Sequence, residues 1–377
     1  MNTQQNKHRI AFIGGFSSVA QARRELPPSC ELVALCDVRA DLIAACKNED
    51  NTIFCTTNFQ EIADLPSCDS VVTFTPNATH KPIAIACLSG GKNIFIEKPM
   101  GLNLEEGREI LRAEKASGKH CAVDLEVRMS RMTGIEAKKI IESGELGDIL
   151  QVEFDHHRGG WLNDTPSGQY RTKRASSGLM KMEGLHEIDL FRFWVGEIVA
   201  LQSFCAPNAL PHYEFPDNIT TMLWFENGAQ GRYTSSHTKS SYDIPPGSPG
   251  YSKVTGPQVG HIMRWGVVGT KGSMTLDAWT QRLDVYHFVA QPPGTNSLKP
   301  LLHRTLDFSG IADWSLVSHD ITGCRYEFME RMAAGRPPLQ SASDAFRSEA
   351  VALLCDQSAY EDGRRIEREE IEAAARV

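Results

Sequence analysis

The sequence predicts an α/β fold for its first third, a parallel sheet wrapped by helices, followed by a second domain of different architecture. Three observations predict it. Short apolar runs recur between residues 8 and 126 with helical patterns between them. After residue 150 the strands are longer and less regularly separated by helices, as in "ILQVEFDHH", "TTMLWFENG" and "QGRYTSSHT". At 377 residues the chain is also too long for one comfortable core, so two domains are expected, 1–125 and 126–377.

The strand candidates of the first third, in order, are "RIAFIG", "ELVALCD", "DSVVTFTP", "KNIFIEKP" and "HCAVDLEV". Between the later ones, Ile83 to Ser89 and Leu104 to Ala116 carry apolar residues at helical spacing. Strand and helix in alternation imply a parallel sheet. Ligands of such sheets bind beyond the carboxyl ends of the strands, where strand order reverses. Thr75, Pro76 and Asn77 follow one strand and Glu97, Lys98 and Pro99 another, so both groups are expected in one crevice. The run Asn93 to Ile96 has a plain reason to stop there: proline cannot donate to the ladder, and charges mark the solvent edge of a sheet.

The turn after the first strand reads "IGGFSSVAQA". Taking Gly15 as the first glycine of a GxGxxG dinucleotide fingerprint puts Ser17 and Ala20 at the second and third positions, both small enough for a backbone approach to a pyrophosphate. The plain alternative is a helix capped by Ser17 or Ser18 with no ligand. Asp37 closes the second strand and favours the ligand: a carboxylate there accepts from a ribose 2′-hydroxyl and repels a 2′-phosphate, so NAD is expected over NADP. Arg39 lies close enough to blur that preference.

Bulk composition narrows the partners. The net charge is −8 and no block of Lys or Arg stands out, which argues against nucleic acid and anionic membranes. The opening "MNTQQNKHRI" lacks the apolar core of a signal peptide and no later run has the length of a bilayer span, so a cytoplasmic protein is expected. Ten cysteines sit singly in apolar contexts with no CxxC pair and read as small core residues. No metal is expected, because only His156 and His157 are adjacent and no ligands cluster at metal spacing.

The chain resembles the Gfo/Idh/MocA oxidoreductases. The resemblance is carried by the strand and turn at 9–22, "CDV" at 36–38, "TPNATH" at 75–80, "EKPM" at 97–100, "ESGELGDI" at 142–149, "GLHEIDLFRFWVG" at 184–196, "FENGAQG" at 225–231, "GTKGSM" at 269–274 and "ERMAAGRPP" at 330–338, in family order over nearly the whole chain. It implies a Rossmann domain followed by an α+β domain with a large, mostly antiparallel open sheet that often serves in oligomer contacts, hence a homo-oligomer, dimer or tetramer. The segment 240–264, rich in Gly, Pro and Ser, is expected to be a lid, a subunit-contact arm or simply disordered.

The implied chemistry removes a hydride from a secondary alcohol to a nicotinamide and a proton from its oxygen. An ordinary lysine accepts protons poorly near neutrality, but desolvation beside a positively charged ring improves it, so Lys98 is the candidate for binding and helping to deprotonate the hydroxyl. The resemblance implies a cis peptide bond before Pro99, Glu97 near the nicotinamide ribose or carboxamide, and Thr75, Pro76, Asn77 and His80 with the cofactor. It also makes His186 the acid/base that meets Lys98 at one carbinol. A core histidine would be the ordinary reading of such a residue in an apolar helix. Asp189, three residues on, shares its face and is expected to orient a neighbour.

One departure matters: many relatives carry an Asp four residues before the histidine, and here that position is Met182, flanked by Lys181 and Glu183. Either Lys98 and His186 act without that partner, or Glu183 or Lys181 substitutes, or the chemistry differs. Arg158, Arg171, Lys173, Arg174 and Lys181 cluster within 156–181 against Asp164 alone, as a substrate-anion site or as a solvated basic loop. Trp161 is positioned to stack on a sugar or to pack, and Glu126 and Arg128 fall where relatives line the active site.

Three functions compete. The first is an NAD-dependent dehydrogenase acting on a sugar, inositol or related polyol, recognised by net NADH formation. The second is a redox-neutral NAD-dependent glycoside-cleaving enzyme that oxidises C3 transiently, recognised by aryl glycoside cleavage without a change in NADH absorbance. The third is a non-catalytic relative, recognised by failure to bind any dinucleotide.

Overall fold

The computed structural model describes residues 7–160, 166–238, 262–290, 298–313 and 315–377. They form two compact units, the first of Met1–Leu125, Ile321–Glu349 and Ala375–Val377, the second of Glu126–Asp320 and Ala350–Ala374. This differs from the expected uninterrupted second domain over 126–377: the chain returns to the first unit. Burial drives the return. On the helix Ile321–Ala333, Phe328 has no exposed surface and its ring stands 5.6 Å from that of Phe95 in the parallel sheet. Tyr326 donates to the Leu26 carbonyl at 2.9 Å, and Ser341 bridges to Ala122.

The first unit holds six strands, β1 (His8–Gly14), β2 (Cys30–Cys36), β3 (Phe54–Thr56), β4 (Ser70–Phe74), β5 (Asn93–Ile96) and β6 (Cys121–Val123). Their order is β3-β2-β1-β4-β5-β6, and every pairing is parallel. Ile10, Leu35, Val71, Val72, Ile94 and Phe95 have no exposed surface, as both faces of a covered parallel sheet require. The expected helices run His80–Ser89 and Leu104–Ser117, the second capped by Asn103, which accepts from the Glu106 amide. Strand order reverses between β1 and β4. There Gly15, at φ +75°, turns the chain so close that a Cβ would stand 2.7 Å from the Phe74 side chain.

The second unit holds eight strands, β7 (Ile149–His157), β8 (Ile198–Phe204), β9 (Asn218–Phe225), β10 (Gln230–Ser236), β11 (Ile262–Gly269), β12 (Gly272–Asp277), β13 (Arg282–Ala290) and β14 (Leu298–Asp307). They form one sheet in the order β14-β13-β12-β11-β7-β10-β9-β8, antiparallel except for the β7–β10 pair. Alternate residues of β9 are buried, so one face of the sheet makes a core. Phe154, Trp265 and Tyr233 lie at its centre, with ring centroids 4.9 and 5.6 Å from that of Phe154. Most of the 240–264 segment, and Trp161 and Asp164, lie outside the described residues.

All ten cysteines are free thiols and all but Cys205 are buried, as their apolar contexts suggest. Burial pushes the Cys68 thiol up to about 11, which leaves little reactive thiolate. Among the described residues no helix is long and apolar enough to cross a membrane.

Candidate functional site

In the first unit the expected cofactor residues gather at the carboxyl ends of β1, β2, β4 and β5. Several are already occupied. Ser18 caps the helix Val19–Arg24 by accepting from the Gln21 amide at 3.0 Å, and the Ser17 amide donates to Gln21 Oε1 at 3.1 Å. The next two amides, of Val19 and Ala20, donate to the Glu49 carboxylate at 2.9 and 2.7 Å. An intramolecular anion therefore sits on the very amides that a helix start offers to phosphate. Asp37, 9% exposed, accepts from Arg39, which holds its carboxyl below the usual carboxylate range against the opposing effect of burial.

The loop after β5 carries Glu97 and Lys98, both half-buried, and a cis peptide bond between Lys98 and Pro99. Two buried groups hold this loop. Glu349, with no exposed surface, accepts from the amides of Met100 and Gly101 at 2.6 and 3.0 Å. His80 places one ring nitrogen 2.7 Å from the Pro99 carbonyl and the other 2.9 Å from that of Thr75. His80, expected among the cofactor contacts, has no exposed surface and instead braces the ends of β4 and β5. Burial pushes its pKa down, against the pull of those carbonyls, so it serves as a neutral strut. Asn77 is also buried, while Thr75 is half-buried and Pro76 exposed.

In the second unit His186 and Asp189 lie on the buried helix Leu185–Val195 and meet one short turn, Glu126–Met129. His186 Nδ1 stands 3.4 Å from Glu126 Oε2, and Arg128 Nε stands 3.2 Å from Asp189 Oδ2. The shared face inferred from the three-residue spacing thus has two partners, both supplied by the turn. His319 Nδ1 stands 2.8 Å from the other oxygen of Glu126, and its ring centroid is 5.3 Å from that of His186. Ser130 fixes this corner, donating to the Glu126 carbonyl at 2.8 Å and accepting from the Asp320 amide at 2.8 Å. Ligand atoms of Glu126, His186 and His319 all fall within 4.8 Å of one another, a cluster that adjacency in the sequence does not reveal.

The carboxylate facing His186 is therefore Glu126, and Glu183 does not fill the place left by Met182. Glu183 is turned into a separate buried chain. Its Oε1 accepts from Arg158 at 3.0 Å, and its Oε2 stands 2.9 Å from His237 Nε2 and 3.4 Å from His156 Nδ1. His237 Nδ1 in turn meets the Tyr213 hydroxyl at 3.0 Å. Burial raises the Glu183 pKa, but His237 and Arg158 outweigh it and hold the carboxyl well below its usual range. Burial drives His156 the other way, toward the neutral imidazole, despite Glu183.

The basic cluster does not converge on one anion. Lys173 pairs with Glu214 at 2.6 Å, Arg174 lies over the Tyr360 ring at 3.6 Å, and Arg171 donates to the Tyr170 hydroxyl at 3.0 Å. Lys181 is buried, and Arg158 belongs to the Glu183 chain. The turn Met180–Gly184 that leads into the His186 helix is held by Asp356, which accepts from the Met180 and Lys181 amides at 3.0 Å each. His319, His237, Tyr213, Glu349 and Asp356 carry no motif in the sequence, so pattern reading had no signal for them.

Comparison with known proteins agrees with this architecture. The oxidoreductase family with an NAD-binding Rossmann fold matches residues 8–125, and the GFO/IDH/MocA C-terminal domain matches residues 135–275. An NAD(+)-dependent scyllo-inositol 2-dehydrogenase of Bacillus subtilis (strain 168) is 28% identical over 220 residues, 57% of this chain and 57% of that protein. A levoglucosan dehydrogenase of Pseudarthrobacter phenanthrenivorans is 29% identical over 219 residues, 50% of this chain and 55% of that one. The aligned stretches thus span little more than half the length of these relatives. In fold, a solved levoglucosan dehydrogenase in complex with NADH and levoglucosan superposes with a TM-score of 0.74 at 20% identity, covering 96% of this chain and 99% of the other. A probable dehydrogenase from Thermotoga maritima gives 0.72 at 20% identity, with the same coverage. With both of its domains matched, the chain belongs to the Gfo/Idh/MocA family of NAD-binding oxidoreductases.

Proposed function

We propose that the chain is an NAD-dependent dehydrogenase acting on a secondary hydroxyl of a sugar, inositol or related polyol. The observation that carries this reading is the pairing of His186 with the buried carboxylate of Glu126. A base held in orientation by a third group is what proton removal from an alcohol needs.

The residues of the first unit fit a dinucleotide by their chemistry. Asp37 offers a carboxylate to a ribose, Gly15, Ser17 and Ser18 form the turn at the strand-order reversal, and Thr75, Pro76, Asn77, Glu97 and Lys98 follow the two strands beyond it. Bound there, the nicotinamide supplies the hydride acceptor. Within the first unit Lys98 is the candidate to hydrogen-bond a substrate hydroxyl, and within the second His186 is the candidate base, with Glu126 fixing its ring and answering the charge that develops on it. Arg128 and Asp189 cancel each other beside the dyad, and Arg158 and Glu183 offer further polar partners for substrate hydroxyls. The redox-neutral alternative is not favoured, since the named relatives are dehydrogenases.

The test is the full-length protein with NAD+ and a panel of scyllo-inositol, myo-inositol, levoglucosan and common aldoses, followed by NADH absorbance. Net NADH formation on at least one polyol is expected, and its loss in Lys98→Met. No reduction on any of them, together with release of phenol from an aryl glycoside at constant NADH absorbance, would overturn the reading.

A further inference from the structure

Resting on the reading of His186 as the base, we propose that Glu126, His186 and His319 form a binding site for a divalent transition cation, with Zn2+ the best match, and that an ion held there switches the base off. The three side chains come from three places in the second unit: the turn Glu126–Met129, the helix Leu185–Val195 and the residue just past the helix Ser315–Ser318. One carboxylate oxygen faces each ring, Oε2 at 3.4 Å from His186 Nδ1 and Oε1 at 2.8 Å from His319 Nδ1. Zn2+ holds imidazole nitrogen and carboxylate oxygen at about 2.0–2.2 Å, so neighbouring ligand atoms of a tetrahedron lie about 3.4 Å apart. The His186 spacing already has that value, and the His319 spacing has to open only slightly. The two rings are tilted by 57° instead of stacked, and one ligand atom from each of the three residues lies within 4.8 Å of the others.

The donor set selects the ion. Mg2+ and Ca2+ prefer oxygen shells, whereas Zn2+, Co2+ and Ni2+ take imidazole readily. Burial favours a cation, since Glu126 is 2% exposed and the nearby Arg128 guanidinium stands 3.2 Å from the carboxylate of Asp189, which answers its charge. The corner is built before any ion arrives: Ser130, with no exposed surface, ties the turn carrying Glu126 to the segment carrying His319 by bonds of 2.8 Å to the Glu126 carbonyl and the Asp320 amide. The half-exposed His319 side chain gives an ion its way in. A second cluster, Glu145, His287 and His303, fits less well. Arg304 donates to both oxygens of Glu145 at 2.6 Å, and the two rings stack at 4.1 Å, so a guanidinium already holds the place of a metal. An imidazole bound to a cation through one nitrogen keeps its proton on the other, so His186 could then take none from an alcohol.

The test uses the full-length protein, free of any affinity tag and stripped with EDTA. Equilibrium dialysis against Zn2+ should find about one ion per chain, with a dissociation constant on the order of 1 μM or tighter. His319→Ala should weaken it by at least about tenfold, as should His319→Gln, which keeps a donor for Glu126 but no imidazole, while His303→Ala leaves it unchanged. Circular dichroism of each variant checks its fold. Co2+ in place of Zn2+ should give the visible bands of a nitrogen- and oxygen-bound ion in wild type and not in His319→Gln. On a polyol that supports NADH formation, saturating Zn2+ should lower kcat by about a hundredfold, with recovery on adding EDTA and no change in NADH affinity. Zn2+ held no more tightly by wild type than by the His319 variants, with turnover intact, overturns the ion site and leaves His186 standing as the base. Binding at the site with undiminished or increased turnover overturns the switch and the base together. If no polyol is oxidised, the base and the switch both fall, and dialysis still decides the ion site.

Discussion

The two units assemble their candidate residues in opposite ways. In the first, the chemistry sits where the chain pattern puts it, since Asp37 follows β2, Thr75 to Asn77 follow β4, and Glu97 and Lys98 follow β5. In the second, the dyad joins Glu126 and His186 and adds His319, residues far apart in the chain, and a second buried chain joins Glu183 to Arg158, His156 and His237. A parallel sheet delivers strand ends to one edge whatever else the sequence does. A buried ionic group has no such guarantee; each partner must be brought to it by packing, and each unsatisfied charge is costly. On the proposed function this becomes a division of labour, with dinucleotide recognition and Lys98 in the regular unit and the His186 base in the assembled one.

The strongest way to break that division is to remove the base. His186→Ala is expected to lower kcat by about 10²- to 10⁴-fold while the dissociation constant for NADH moves by less than about threefold. Glu126→Gln keeps the shape but removes the charge facing the ring. Its expected signature is a smaller loss of kcat with the acid limb of the pH–rate profile displaced to lower pH, because a nearby carboxylate favours the protonated imidazole. A merely structural Glu126 would lower stability without moving that limb. NADH binding lost along with turnover in His186→Ala would erase the division of labour.

How much of this could be read beforehand follows from the same contrast. The "EKP" stretch was legible because proline and paired charges directly after a β-branched run are a local signal. The helix around His186 was legible from its apolar spacing, and so was the face it shares with Asp189. The missing Asp at Met182 could be seen as a gap, yet nothing local could say that Glu126 faces the imidazole. Strand β3, three residues long, is too short to show a period. The return of 321–349 to the first unit was hidden because an amphipathic helix declares that it has a buried face and not which core buries it. Ser18 as a helix cap was the plain reading of its position, and it does cap, with Glu49 as an added anion that no motif encodes.

A second comparison is narrower. Each unit uses one buried carboxylate to grip two consecutive amides of a site segment: Glu349 holds Met100 and Gly101 behind Lys98, and Asp356 holds Met180 and Lys181 ahead of His186. Both belong to the helix Ala342–Tyr360. Glu349→Ala strands two buried donors, at about 1–3 kcal/mol each. Urea unfolding is expected to report a loss of about 2–6 kcal/mol, with Glu349→Gln, which retains one acceptor oxygen, less affected. A loss under about 1 kcal/mol in Glu349→Ala would mean that solvent or a neighbour replaces the grip at little cost.

Asp356 sharpens the comparison through pH. Burial raises its carboxyl from 3.8 to about 6, against the opposing effect of the Met180 and Lys181 amides. A group that holds its proton more tightly when folded contributes stability in full below its unfolded pKa and loses it as pH rises through the folded one. The window is therefore from 3.8 to about 6, and the ionised form at neutral pH forgoes on the order of 3 kcal/mol relative to the acid form. Asp356→Asn cannot ionise, so the unfolding free energy of wild type minus that of the variant should fall as pH is raised from about 4 to about 7, most steeply between the unfolded and folded values and levelling off above the folded one. Parallel curves would show that the carboxyl is not held in its protonated form by the fold. A falling difference would show that the turn ahead of His186 is gripped by an acid whose charge works against its own burial.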